Sequence, residues 1–174
     1  MSEADGEEIA WQGKWITVKT RGRWEYVSRA RGIRAAVIVA IDDDAHVLLI
    51  DQFRVPLGRR CLELPAGLIG DELDDDTVDA AAIRELEEET GYAAERMEVI
   101  GEFFSSPGMV SESFTLVRAF GLSKVGEGGG IGEEDIIVHR VPLAEVPDFV
   151  AAKRAEGMAI DVKILMLLAG TLLS

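Results

Sequence analysis

The stretch Gly70-Asp-Glu-Leu-Asp-Asp-Asp76-Thr-Val-Asp-Ala-Ala-Ala-Ile-Arg84-Glu85-Leu86-Glu87-Glu88-Glu89-Thr90-Gly91-Tyr92 decides how the rest of the chain is read. Asp76 or Thr77 supplies a helix N-cap, and Asp79 falls in the first turn, where the helix dipole favours an anion. Gly91 stands where a left-handed C-cap residue is wanted. Between these ends Val78, Ala82 and Leu86 recur at helical spacing, which predicts an amphipathic helix docked on a core. The opposite face is loaded with charge, for four glutamates occupy positions 85–89. Glu85 pairs with Glu89 at i,i+4 and with Glu88 at i,i+3, a like-charge spacing that costs about 0.2–0.5 kcal/mol per pair. A run of Glu is most often a solvated helix face. Here the caps and the apolar stripe fix the helix on a core, and a hard divalent cation would turn the repulsion into a binding site.

Outward from this helix the chain reads as strands, then helices. Residues 14–20 and 24–28 alternate around Arg21-Gly22-Arg23, which predicts a hairpin. Residues 35–41 and 47–52 are β-rich runs around Asp42-Asp43-Asp44, which predicts a second hairpin. Residues 62–64 lead into the Pro65-Ala66-Gly67 turn. Residues 97–104 and 113–120 pair around a loop at 105–112, and 136–141 is a further strand. Two helices are expected at 142–156 and 160–172, separated by Gly157. A mixed sheet covered by helices, an α/β fold, follows from this order. The expected organisation is a flexible acidic N-terminus (1–10), an N-terminal hairpin (11–34) and one catalytic domain (35–174).

Composition narrows the classes of partner. The chain has 174 residues, 48% of them hydrophobic, enough for one domain with a full core. Its net charge of −14 repels nucleic acid, which is bound by neutralising phosphates with Lys and Arg. A small phosphate compound would be repelled too, unless divalent cations intervened. No apolar run reaches the ~18 residues of a membrane span. The opening Met-Ser-Glu-Ala-Asp-Gly-Glu-Glu lacks the order of a signal peptide. A single cysteine, Cys61, allows no internal disulfide and fits a reducing, cytoplasmic location. Cys61 reads as an inert core residue. His46 and His139 read as structural, since neither has a metal-ligating companion nearby.

The quoted stretch resembles the Nudix box, G-x5-E-x7-R-E-U-x-E-E-x-G-U, where U is aliphatic or aromatic. Arg84, Glu85, Leu86, Glu88, Glu89, Gly91 and Tyr92 fill its second half. In its first half Asp76 stands where the family has Glu, with Gly70 as the opening glycine. A second alignment uses Gly67, with three extra residues in the acidic loop. Leu64-Pro65-Ala66-Gly67-Leu68-Ile69, Ser105-Ser106-Pro107-Gly108 past the box, and Gly128-Gly-Gly-Ile-Gly-Glu-Glu-Asp-Ile136 resemble the ADP-ribose pyrophosphatase branch. The last segment also resembles relatives that cleave GDP-mannose. The likeness runs over about residues 11–172. It implies a Nudix α/β/α sandwich with a mixed sheet, and hydrolysis of a nucleoside diphosphate sugar at its diphosphate. ADP-ribose would give AMP and ribose 5-phosphate.

The resemblance also implies roles. Mg2+ or Mn2+, two or more ions per site, would be held by Glu85 and Glu89 as bridging ligands and by the Ala66 carbonyl. Glu88 would be a further ligand or an anchor behind the metal. Such ions polarise the diphosphate while water attacks phosphorus in line. Arg84 would orient the carboxylates, pairing with Glu88 at i,i+4. Glu133 and Glu134 are candidates for the general base, with Glu134 preferred, on a loop whose glycines would let it close over substrate. Trp24 either stacks on a base, reaching across a homodimer, or is ordinary strand packing. Arg54 would hold a phosphate through its fork of donors, and Glu63 and Glu112 would accept from ribose hydroxyls. The N-terminal hairpin around Trp15 and Trp24 would form the dimer interface. A nucleotide-sensing protein without catalysis is the other class, and it fits less well because Glu85, Glu88 and Glu89 are all present.

Overall fold

The computed structural model describes residues 6–30, 34–69, 77–132 and 134–172. Asp76, Gly70 and Glu133, on which three of the readings above fall, lie outside the described residues.

The chain opens with three strands, β1 (Glu8–Gln12), β2 (Ile16–Arg21) and β3 (Trp24–Arg29), joined as an antiparallel sheet in that order. The expected hairpin is β2–β3, and β1 adds a strand to it. Then come β4 (Arg34–Ala40), β5 (His46–Arg54), β6 (Arg59–Glu63) and β7 (Ala66–Ile69). The box helix α1 (Val78–Thr90) follows, then β8 (Tyr92–Ala93), β9 (Arg96–Phe104), β10 (Ser113–Phe120), β11 (Ser123–Lys124) and β12 (Ile137–Pro142). The chain ends with α2 (Val146–Ala155), β13 (Ala159–Ile160) and α3 (Leu165–Leu172).

Two four-stranded sheets carry the core, in the orders β7-β4-β10-β9 and β12-β5-β6-β13. Both are mixed, because β10 runs parallel to β4 and β13 parallel to β6. Alternation along β4 builds the layers. Ala36, Ile38 and Ala40 pack with Ala81, Ala82 and Leu86 of α1, whereas Val37 and Val39 pack with Val146 and Val150 of α2 and with Ile164 and Leu168. Residues two apart on a strand share a face, so one strand feeds both cores. The result is the expected α/β/α sandwich. Leu86 is fully buried, and burial of that kind contributes about 1.5–3 kcal/mol.

The box helix has the predicted ends. Thr77 caps it by accepting from Ala80 N at 3.3 Å, and Gly91 closes it in the left-handed region with φ 73°. Two readings need revision. Residues 35–41 and 47–52 do not form a hairpin, because β4 and β5 lie in different sheets and meet at an isolated Ile41–Val47 bridge. The C-terminal segment also differs. Residues 160–172 are not one helix: Ile160 belongs to β13, Asp161 accepts from Lys163 N at 2.8 Å, and α3 starts only at Leu165. An apolar run of this length reads equally as buried strand or helix, and the Asp161 cap breaks it. Among the described residues no helix is long and apolar enough to cross a membrane.

Candidate active site

The C-terminal half of α1 lies beside the Pro65-Ala66-Gly67 segment, and the contact is tight. A Cβ on Gly67 would sit 2.0 Å from Cγ and Cδ of Glu85, so only glycine leaves room for that carboxylate. Next to it the Ala66 amide donates to Glu89 Oε2 at 2.9 Å. Glu89 is only 5% exposed. Burial pushes its carboxyl up to about 8, the charges of Glu85 and Glu134 add to the rise, and the Ala66 amide and Arg54 oppose it. An Ala at position 67 would displace the flexible end of Glu85 and leave the backbone where it is. Gly67→Ala is therefore expected to fold, with melting close to wild type and the Glu85 carboxylate displaced from its place beside position 67. A thermal melt beside wild type checks this, and a variant that fails to fold would show that the backbone at position 67 cannot accept the extra methyl.

Glu85, Glu88 and Glu89 line a cleft of about 440 Å3 together with Ala66, Arg54, Glu63, Glu112 and Glu134. Eight of the residues singled out in the sequence thus meet in one place. Two others do not line it. Arg84 is half-buried on α1, and Trp24, 56% exposed, belongs to a separate slot beside Tyr26 and Pro107. Sequence reading missed Arg29, Gln52 and Lys163, which also face the cleft.

The cations of the cleft are held by acids. Arg54 and Glu63 share a face of the β5–β6 pair, and Arg54 Nε and Nη2 donate to the two Glu63 oxygens at 2.6 and 2.7 Å. Both oxygens of this buried carboxylate are engaged, so Glu63 fixes the guanidinium that faces the cleft. Glu112 likewise accepts from Arg29 Nε. That pair ties β3 to the 105–112 loop, along with Val27 N donating to Met109 O at 3.0 Å and Ser111 N to Val27 O at 2.9 Å. Lys163 donates to Asp161 at 2.8 Å. Cys61 is buried on the face of Glu63, and burial pushes its thiol up to about 12, as an inert core cysteine requires.

The glycine loop differs from expectation. Its backbone is fastened to the box helix, and Gly128 is needed for close approach. Gly129 N donates to Glu89 O at 2.9 Å, Gly130 N to Glu88 O at 3.0 Å, and Gly126 N to Gly91 O at 3.0 Å. A Cβ on Gly128 would lie 2.4 Å from the Thr90 carbonyl carbon. The loop is thus fastened to the end of α1, closing carbonyls that a helix C-terminus leaves unpaired. Beyond the fastening Glu134 turns into the cleft, with its Oε2 accepting from Ile131 N at 2.9 Å.

The donor set suits a hard divalent ion. All the anionic groups around α1 are carboxylates, and a buried Glu89 pressed by two neighbouring carboxylates needs a proton or a cation. Among the described residues no group of three or more His, Cys, Asp or Glu side chains is arranged to hold an ion by itself. Mg2+ does not require one, since it keeps several waters and takes one or two carboxylates.

The NUDIX domain family matches residues 31–160. The chain is 36% identical over 121 residues to a methanol dehydrogenase activator of Bacillus methanolicus, covering 69% of this chain and 64% of that protein. It is 35% identical over 105 residues to an ADP-ribose pyrophosphatase of Bacillus subtilis (59% and 54%). To a GDP-mannose pyrophosphatase of Cronobacter sakazakii it is 36% identical over 147 residues (79% and 72%). The solved structure of an ADP compounds hydrolase superposes with a TM-score of 0.70 at 26% identity, covering 96% of this chain and 91% of that one. The matches to the first curated relatives span about half to two thirds of their length. With the box helix capped and its glutamates facing a cleft, the chain belongs to the Nudix family, on the branch whose named members include the ADP-ribose pyrophosphatases.

Proposed function

We propose that the protein hydrolyses the diphosphate bond of ADP-ribose, or of a closely related nucleoside diphosphate sugar, with Mg2+. The observation that carries this reading is the mixed charge of one cleft. Carboxylates of Glu85, Glu88, Glu89 and Glu134 share it with Arg29, Arg54 and Lys163 in a chain whose net charge is −14. Its volume of about 440 Å3 lies within the ~300–1,000 Å3 of small-molecule sites. Likeness to ADP-ribose pyrophosphatases adds support.

In this mechanism Glu85 and Glu89 would hold the metal with the Ala66 carbonyl, and Glu88 would hold or anchor it. A divalent ion held there would supply charge neutralisation at the diphosphate and a lowered pKa for its bound water. Arg54, fixed by Glu63, donates to a phosphate oxygen with its remaining N–H groups. Glu134 takes the proton from the attacking water. Arg84 keeps the carboxylates of α1 in register. The acid–base pairs already formed by Glu63 and Glu112 place Arg54 and Arg29 at the substrate, and ribose hydroxyls would find those carboxylates partly satisfied.

ADP-ribose, GDP-mannose, NADH and diadenosine polyphosphates assayed in parallel with Mg2+ test the reading. The highest kcat/KM is expected for ADP-ribose, with AMP and ribose 5-phosphate as products. Preference for GDP-mannose would favour the second reading, which the long match to a GDP-mannose pyrophosphatase supports. Failure on every compound would leave a nucleotide sensor.

Assembly belongs to the same proposal. All five residues of β1, Trp11 among them, are exposed, as are Trp15 and Trp24 of the N-terminal segment and Ile100, Phe103 and Phe104 of β9. That much bare apolar surface calls for a cover, and a second copy related by a two-fold axis supplies it. Light scattering is expected to give a homodimer. A fully active monomer at micromolar concentration would remove both the dimer and the stacking role of Trp24 across it.

A further inference from the structure

The β5–β6 pair carries a second ion pair on the face turned away from the cleft. Asp51 and Arg60 lie diagonally across the pairing, with Asp51 opposite Leu62 and Arg60 opposite Phe53. The Asp51 side chain is 2% exposed. One of its oxygens accepts from Arg60 Nε and the other from His139 Nε2, a residue of β12 whose ring packs 5.2 Å from that of Phe149. Burial would raise the Asp51 carboxyl, but these two donors outweigh it and hold it below the ordinary range. Arg60 is thereby fixed at its root.

Its remaining donors leave the sheet. Arg60 Nη1 donates to Asp135 Oδ2 at 2.6 Å, and Nη2 donates to both the Asp135 carbonyl at 2.9 Å and the Asp51 carbonyl at 2.8 Å. Asp135 is the residue after Glu134. The loop is therefore fastened twice, by Gly129 and Gly130 to the carbonyls of Glu89 and Glu88 and by Asp135 to Arg60. Glu134 lies between the two fastenings.

We propose that Arg60 is a positioning residue for Glu134, a clamp on the reverse face of the sheet that sets where the Glu134 carboxylate stands in the cleft. The proposal rests on the hydrolytic reading for its kinetic consequence, but the clamp itself is a statement about the loop. A planar fork anchored on a buried carboxylate can bridge two segments, whereas a lysine at the same place keeps the charge and loses the bridge. Asp135 is 78% exposed at its side chain, so removing its carboxylate takes away one of the two contacts of the clamp without unpairing anything buried.

The test combines Arg60→Lys, Asp135→Ala and Glu134→Gln. Arg60→Lys is expected to lower kcat about tenfold with KM within about twofold, and Asp135→Ala to lower it less, because the carbonyl contact survives. In the Glu134→Gln background, Arg60→Lys should remove less than about a further twofold, since a residue acting through Glu134 has nothing left to position. Losses that multiply instead would make Arg60 independent of Glu134 and overturn the proposal. Amide exchange of residues 130–137 gives a readout that needs no turnover: both clamp variants should speed it, with α1 unchanged. If the wild-type protein hydrolyses nothing on the panel but the exchange result holds, the hydrolytic reading fails and the clamp stands. Wild-type exchange in both variants overturns the clamp.

Discussion

Replacing Glu89 by Gln is expected to reduce turnover at least about a hundredfold, about 3 kcal/mol of transition-state stabilisation, while making the metal-free protein more stable at alkaline pH. The two effects have one cause. Glu89 is buried beside Glu85 and Glu134, and its carboxyl is pushed up to about 8 from the ordinary 4.5. A carboxyl raised in this way binds its proton more tightly in the folded chain than in the unfolded one. The penalty is absent below about pH 4.5, grows as pH rises through the interval, and is complete above about pH 8. At about 1.4 kcal/mol per unit it amounts to a few kcal/mol. Gln keeps the size and the Ala66 hydrogen bond but has no charge to bury. Thermal melts with a chelator at pH 6 and pH 8.5 should show wild type losing stability with rising pH more steeply than Glu89→Gln. Mg2+ at pH 8.5 should then rescue wild type more than the variant. Equal pH slopes, or near-normal turnover of the variant under saturating Mg2+, would sink the assignment of Glu89 as a metal ligand.

Glu134→Gln should lower kcat about a hundredfold, the lower end of what a positioned base contributes, with Mg2+ activation and KM near wild type. Glu134 reaches the cleft and its charge is felt at Glu89, yet its own contact is to a backbone amide of its loop. That placement suits a group that acts on the water rather than one that binds the ground state, and loss of such a group appears in kcat alone. Glu133→Gln should be milder. A defect in Glu134→Gln that excess Mg2+ abolishes would make residue 134 a ligand. A larger defect in Glu133→Gln would mean that its neighbour is the base.

The parts of this site that were legible in the sequence are those coded over short distances. Thr77, Leu86 and Gly91 announce a helix with its caps because the signals lie within one window, and the spacing of Glu85, Glu88 and Glu89 marks the helix face that lines the cleft. The Arg29–Glu112 and Arg60–Asp135 pairs join residues 83 and 75 positions apart. Nothing local marks them, since each side chain by itself reads as a surface charge. Lys163 was hidden for a different reason: it lies in an apolar segment whose helical reading concealed the Asp161 turn that aims it. Composition was misleading at Gly126–Gly130. A glycine-rich stretch reads as freedom, but here its backbone amides bond the end of the box helix, and the missing side chain of Gly128 lets one backbone lie on another.

Cys61 gives the chain a use its function does not require. One thiol, buried against the sheet where burial pushes it up to about 12, is expected to stay silent toward thiol reagents while the fold is closed. Each modification event then marks an opening of the β5–β6 region. When closing outpaces the reagent, the modification rate measures the free energy of that opening without denaturant. The protein carries its own gauge of breathing beneath the Arg54–Glu63 pair, and a second cysteine placed on the exposed surface would be labelled without competition from the first.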